Sequence, residues 1–178
     1  MKRYRIVPGT RRRASSAFSL IEVAISIVIV GGMLVAALTT VAQSSRGLQR
    51  ISEKARGTML AQQLMAEILL LDYEEPVDTP GFGRESSESG GDRENYDDVD
   101  DYDGWASSPP QEKNGVKMDG YLGWARSVEV DWVSADDLVT VVGSETGAKR
   151  IIVVVKRVDA VRATLTAVRT SAADELRK

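Results

Sequence analysis

Oxygen ligands are the most conspicuous chemical resource of this chain, and they crowd into YDDVDDYDGW, residues 96–105. Hard cations such as calcium take six to eight oxygens, so Asp98, Asp100, Asp101 and Asp103 form a candidate calcium set. They do not make an EF-hand. With Gly104 at the turn, Asp101 and Asp103 fit, but Val99 stands at the first position and Pro110 at the twelfth, where a bidentate acid is required. What remains is a looser site. Without it, no cofactor is expected. Cysteine and histidine are both absent, which removes disulfides, zinc sites of nitrogen and sulfur, and Ser-His-Asp or Cys-His catalysis. No catalytic constellation emerges from the remaining carboxylates, lysines and hydroxyls, so the chain is not read as an enzyme.

A second acid stands out by its isolation. From Val23 to Ser45 run 23 uncharged residues, opening VAISIVIVGGMLVAALTTVA, and Glu22 is the carboxylate at their head. A membrane-crossing helix needs about 20 such residues. Before it lie Lys2, Arg3, Arg5, Arg11, Arg12 and Arg13 with no acid among residues 1–17, whereas the rest of the chain carries a net charge of −9. Basic residues ahead of an apolar run place the leader in the cytoplasm and the remainder outside, and mark a targeting segment rather than a nucleic-acid patch. No nucleic-acid partner is therefore expected. Several readings fit the segment. A cleaved secretory signal would use Thr40-Val41-Ala42, although the run exceeds the usual apolar length. A plain anchor would leave Glu22 at the lipid surface or at the positive end of the helix dipole. A twin-arginine signal has only Arg12-Arg13 in its favour.

Ala17-Phe18-Ser19-Leu20-Ile21-Glu22 resembles the processing motif of type IV prepilins and type II secretion pseudopilins. That family has a short basic leader and a small residue, followed by Phe-Ser/Thr-Leu-Ile/Val-Glu opening an apolar helix. The resemblance implies cleavage between Ala17 and Phe18 by a prepilin peptidase and N-methylation of the new Phe18 amine. Ala17 replaces the usual glycine, which implies retained but slower cleavage. It further implies assembly with other pilin or pseudopilin subunits through the helix, at an inner-membrane assembly platform. In that setting Glu22 would receive the amine of a neighbouring subunit and fix the register. The resemblance is specific over about the first 45 residues. The rival readings are an uncleaved, single-pass periplasmic binding module, and a secreted calcium-dependent domain beginning near Gln43.

These sites need a frame. The expected one is α+β and pilin-like: a long N-terminal membrane-spanning helix packed on a small antiparallel sheet. Its segments are a leader (1–17), a membrane or fibre-core half-helix (18–45) and an amphipathic half-helix (46–71). An acidic loop (72–119), a sheet (120–170) and a tail (171–178) follow. Leu60, Leu64, Ile68 and Leu71 recur at helical spacing, with Ala61 and Met65 beside them, and should meet the sheet. Gly31-Gly32, Gly47 and Gly57 read as weak points of the helix. By the resemblance, Gly31-Gly32 is the place where the helix would melt during fibre packing. Residues 72–119 carry a net charge of −11 and four prolines, and read as a solvated loop pinned to the head by Tyr102 and Trp105. Alternation in residues 122–132, then DLVTVVG, KRIIVVVKR and RATLTAVRT, predicts three or four strands.

Overall fold

Fifty residues without a proline, Leu20–Leu69, form one α-helix, α1, in the computed structural model, which describes residues 19–75, 81–85, 88 and 92–175. Met1–Gly47 and Leu48–Lys178 are separate compact units. Within the first, every residue from Ser19 to Arg46 is exposed. One stretch of α1 is long and apolar enough to cross a membrane, and none of it is covered by the rest of the chain. Four of its hydroxyls are satisfied locally: Ser26, Thr39, Thr40 and Ser45 donate to backbone carbonyls three or four residues earlier. Such back-bonding gives those donors a partner within the helix itself. The helix runs unbroken through Gly31, Gly32, Gly47 and Gly57.

The second unit is the head. Leu60, Ala61, Leu64, Met65 and Ile68 are buried, with Leu71 partly so, and they face a four-stranded antiparallel sheet. Its strands are β1 (Ala106–Ser107), β2 (Trp124–Trp132), β3 (Ala148–Arg157) and β4 (Ala160–Thr170), in the order β1-β2-β3-β4. Register places Val128 beside Val153 and Val130 beside Ile151, and then Val153 beside Leu165 and Ile151 beside Ala167. One face therefore stacks β-branched and aliphatic side chains against the helix stripe.

Two local expectations change. DLVTVVG forms no strand, and the extra strand is β1, taken from the acidic segment. The Asp137 carboxylate explains the difference by accepting from Val139 N–H, Thr140 N–H and the Thr140 hydroxyl. These local bonds hold a turn in place of a ladder. The acidic segment is also less solvated than its charge suggests. Tyr96, Val99, Tyr102 and Trp105, spaced every third residue, are all in the core. That period suits the tight turn at Asp100–Tyr102, a 3₁₀ helix labelled η1.

Arg126 interrupts the apolar face of β2, as expected, but it is buried. Arg93 is fully buried beside it; the two guanidinium centres lie 4.2 Å and 5.8 Å from the Trp105 ring. Glu67 of α1 balances them. Arg93 Nε donates to Glu67 Oε1 at 2.9 Å and a second nitrogen to Oε2 at 3.3 Å, while Tyr102 O–H donates to Oε1 at 2.7 Å. Burial opposes the Glu67 charge, yet bonds from Arg93 and Tyr102 and the two arginine charges outweigh it and hold the carboxyl below its ordinary value. Arg126, by contrast, is pulled down to about 10, first by burial and then by the Arg93 charge.

Gly57 is not a weak point but a contact. A Cβ there would lie 2.7 Å from Arg162 Cβ and 3.3 Å from the Arg162 carbonyl carbon, whereas at Gly47 it would meet nothing within 4 Å. Gly57→Ala should therefore lower stability by about 1–3 kcal/mol through overpacking, despite the ~1 kcal/mol helix gain. Gly47→Ala should be neutral or stabilising, and thermal melting of the full chain in detergent separates the two. Glu67→Gln should cost about 3 kcal/mol by leaving Arg93 and Arg126 uncompensated, read from the same melts.

Candidate functional site

Two places gather chemistry-bearing residues, and each lies in its own unit. At the start of α1, Glu22 occupies the first turn, where its N–H and that of Val23 both bond the Ser19 carbonyl, at 3.0 and 3.1 Å. Ser19, Leu20, Ile21 and Glu22 are exposed, and Glu22 is the sole charged residue from Leu20 to Ser45. The other two motif residues, Ala17 and Phe18, lie outside the described residues. Glu22 thus stands with no side-chain partner among the described residues, at the mouth of an uncovered apolar helix.

The second place is the acidic segment, whose folding follows from a few anchors. Asp72 pairs in parallel with Asp98, since Asp72 N–H donates to the Asp97 carbonyl and Val99 N–H to the Asp72 carbonyl. This brings Glu75 alongside Asp97. Residues 81–85 return over the sheet because Phe82 packs edge-on against Trp132, with ring centroids 4.7 Å apart. Gly83 N–H reaches Asp100 Oδ2 at 2.9 Å, and Glu85 and Glu88 then close a turn through two backbone N–H bonds.

The four aspartates singled out as oxygen ligands all have structural work already. Asp98 Oδ1 accepts the N–H groups of Asp100 and Asp101. Asp100 is a buried ion pair with Lys149, and Asp103 Oδ1 takes the Val130 N–H at 3.0 Å. Asp101 Oδ2 accepts from Asp97 and Asp98 N–H, and its carboxylate meets the Glu88 carboxyl.

Sequence reasoning missed the acids that join it. Glu85, Glu88 and Asp101 bring carboxylate oxygens within 4.8 Å of one another, and Glu75, Glu88 and Asp97 do the same. Their separation along the chain hides them, and only the turn-forming Gly81 and Gly83 around Phe82 hint that the loop folds back. Two unit charges about 5 Å apart repel by roughly 3–4 kcal/mol at an effective dielectric of about 20. Glu88 shows the strain: burial first, then bonding to Asp101 and Glu85, pushes its carboxyl up to about 8. Glu75 and Asp97 are raised too, by burial and then by neighbouring carboxylates.

Comparison of the chain with models of known protein families, with curated proteins and with solved structures finds no match. What the chain does therefore has to be argued from its own residues.

Because the folded Glu88 carboxyl binds its proton more tightly than an unfolded one, ionising it opposes folding. In chelator-treated buffer, stability should fall as pH rises from about 5 to about 8. Glu88→Gln should flatten that slope and melt higher at pH 8, as circular dichroism would register.

Proposed function

We propose that this chain is a prepilin-like structural subunit, a pseudopilin or minor pilin, matured at Phe18 by a prepilin peptidase. It would assemble into a type II secretion pseudopilus or a type IV pilus at an inner-membrane platform. The observation that carries the reading is the first unit: an apolar helical stretch, uncovered by its own chain and headed by one carboxylate. Such a surface demands lipid before assembly and other helices after it. As a single-pass protein, the chain would keep its leader in the cytoplasm and its head in the periplasm, because the basic residues precede the span.

Glu22 gives that surface a direction. Cleavage before Phe18 frees an amine one helical turn from the carboxylate, in surroundings where an unpaired ion is expensive. Pairing the amine of one subunit with Glu22 of the next would set the axial register of packed helices. A slipped register would leave both ions unpaired, at about 3–5 kcal/mol. The head, with its sheet and acidic segment, would face outward toward other subunits or secreted cargo.

Mass spectrometry of the intact protein from its native membranes tests the reading directly. A methylated Phe18 terminus is expected. A chain starting at Met1 would instead leave a plain anchored module, and one starting near Gln43 a secreted domain. Glu22→Ala should be processed normally yet be depleted from sheared surface fibres; normal incorporation would refute the register role.

A further inference from the structure

Charge is unevenly divided along β3. Lys149, near one end, serves Asp100 and the Tyr73 carbonyl in the acidic segment. Arg157, at the other end, pairs with Glu53 of α1, and Arg162 of β4 reaches the same carboxylate at 2.9 Å. Glu53 is the eighth residue after the apolar run closes at Ser45, about 12 Å along α1 at 1.5 Å per residue. The β3–β4 hairpin is thus tied to α1 just beyond that run.

Cations gather at this end, although the chain beyond its leader is acidic overall, at −9. Arg50, Lys54, Lys156, Arg157 and Arg162 stand here against Glu53 and Asp159. An open groove lined by Arg50, Lys54, Thr58 and residues 161–165 of β4 contains three of these cations and no acid. Arg50 and Lys54 are exposed, one helical turn apart, and neither has an ion-pair partner among the described residues.

The hairpin tip is apolar where folding gives no reason for it. Leu122 is 90 % exposed and Val158 74 %, more than any other large hydrophobic side chain of the described head. They lie together, because Val158 N–H donates to the Gly123 carbonyl at 2.7 Å. Val158 also holds a φ of +52°, a left-handed conformation that suits glycine or asparagine and disfavours a β-branched residue. Neither the backbone nor water selects valine here, which points to a contact outside the chain.

We propose that this end of the head rests on an anionic bilayer, the one that α1 crosses. Leu122 and Val158 dip among the headgroups, and a lipid phosphate sits between Arg50, Lys54 and Arg162. Apolar side chains set among lysine and arginine are the make-up of surfaces that lie in a membrane interface. The cations draw anionic lipid over a short, screened range, and the span keeps that lipid close at hand. An acidic protein segment would answer the cations but not the two bare apolar side chains. The contact rests on the membrane-spanning part of the proposed reading and not on cleavage at Phe18.

The chain has no cysteine, so Val158→Cys carries a single environment-sensitive fluorophore. Val139→Cys is the control, being exposed in the loop after Trp132, at the Lys149 end of the sheet. The full chain is placed in nanodiscs of phosphatidylcholine with or without about 30 % phosphatidylglycerol, doped with lipid spin-labelled near the headgroup. With phosphatidylglycerol, quenching at 158 should exceed that at 139 by at least about threefold. Arg50→Gln combined with Lys54→Gln should cut it at least about twofold, as should about 0.5 M salt. Equal quenching at the two positions overturns the proposal, as does quenching at 158 that ignores phosphatidylglycerol and the double change. A blue shift at 158 without quenching assigns the surface to another protein copy and also overturns it. A chain that does not co-migrate with the discs removes the span itself, and this contact with it.

Discussion

Glu67 is the point on which the head depends. It is an acid of α1 set among the core side chains, and it answers to a buried arginine from the acidic segment, a tyrosine from η1 and the field of a second buried arginine on β2. Apolar contacts could place the sheet on the helix in several ways. A bidentate pair to Glu67 allows one, because any slip along the helix strands two guanidinium groups away from water. The aromatic ring of Trp105, lying beside both arginines, completes the arrangement. Register between helix and sheet is thus set by charge, while cohesion comes from Leu60, Leu64, Ile68 and their partners.

The acidic segment extends the same logic with the signs reversed. Where the interior holds arginines, one glutamate serves them. Where it holds carboxylates, backbone N–H groups and Lys149 serve some, and the Glu85–Glu88–Asp101 group is left over. Buried aspartates here are mostly turn-makers: Asp98 and Asp101 each take two neighbouring N–H groups and so shape η1. A high acid count therefore has two meanings in one stretch, local backbone capping and unrelieved charge, and composition alone does not separate them.

What could be seen in the sequence follows the same divide. The long apolar helix was legible because 23 consecutive uncharged residues are long enough to cross a membrane, and the helix stripe because its period matches a burial surface. β3 and β4 were legible from their run of Val, Ile and Thr. Residues 96–105 were legible only in Tyr102 and Trp105, since five of the ten are aspartates that dominate the eye, and a period of three belongs to neither an α-helix nor a strand. β1 has two residues and no pattern to read. Gly57 was legible as a glycine and misleading as to cause: low propensity suggested weakness, whereas the close passage of β4 requires the missing side chain. The resemblance to a processing motif is wholly a matter of sequence, and Ala17 and Phe18 lie outside the described residues.

The head is also closed by residues that are made last. Tyr73 N–H bonds Asp174 at 2.6 Å across 101 residues of chain, Arg169 bonds the same carboxylate and the Leu71 carbonyl, and Arg157 reaches back 104 residues to Glu53. At synthesis rates of about 5–20 residues per second, the stretch following α1 waits roughly 5–20 s for these partners to exist. For most of that interval the acidic segment has neither β3 nor Lys149 to fold against. The head is accordingly a structure that cannot be finished in instalments, and its quality is decided only when nearly all of the chain has emerged.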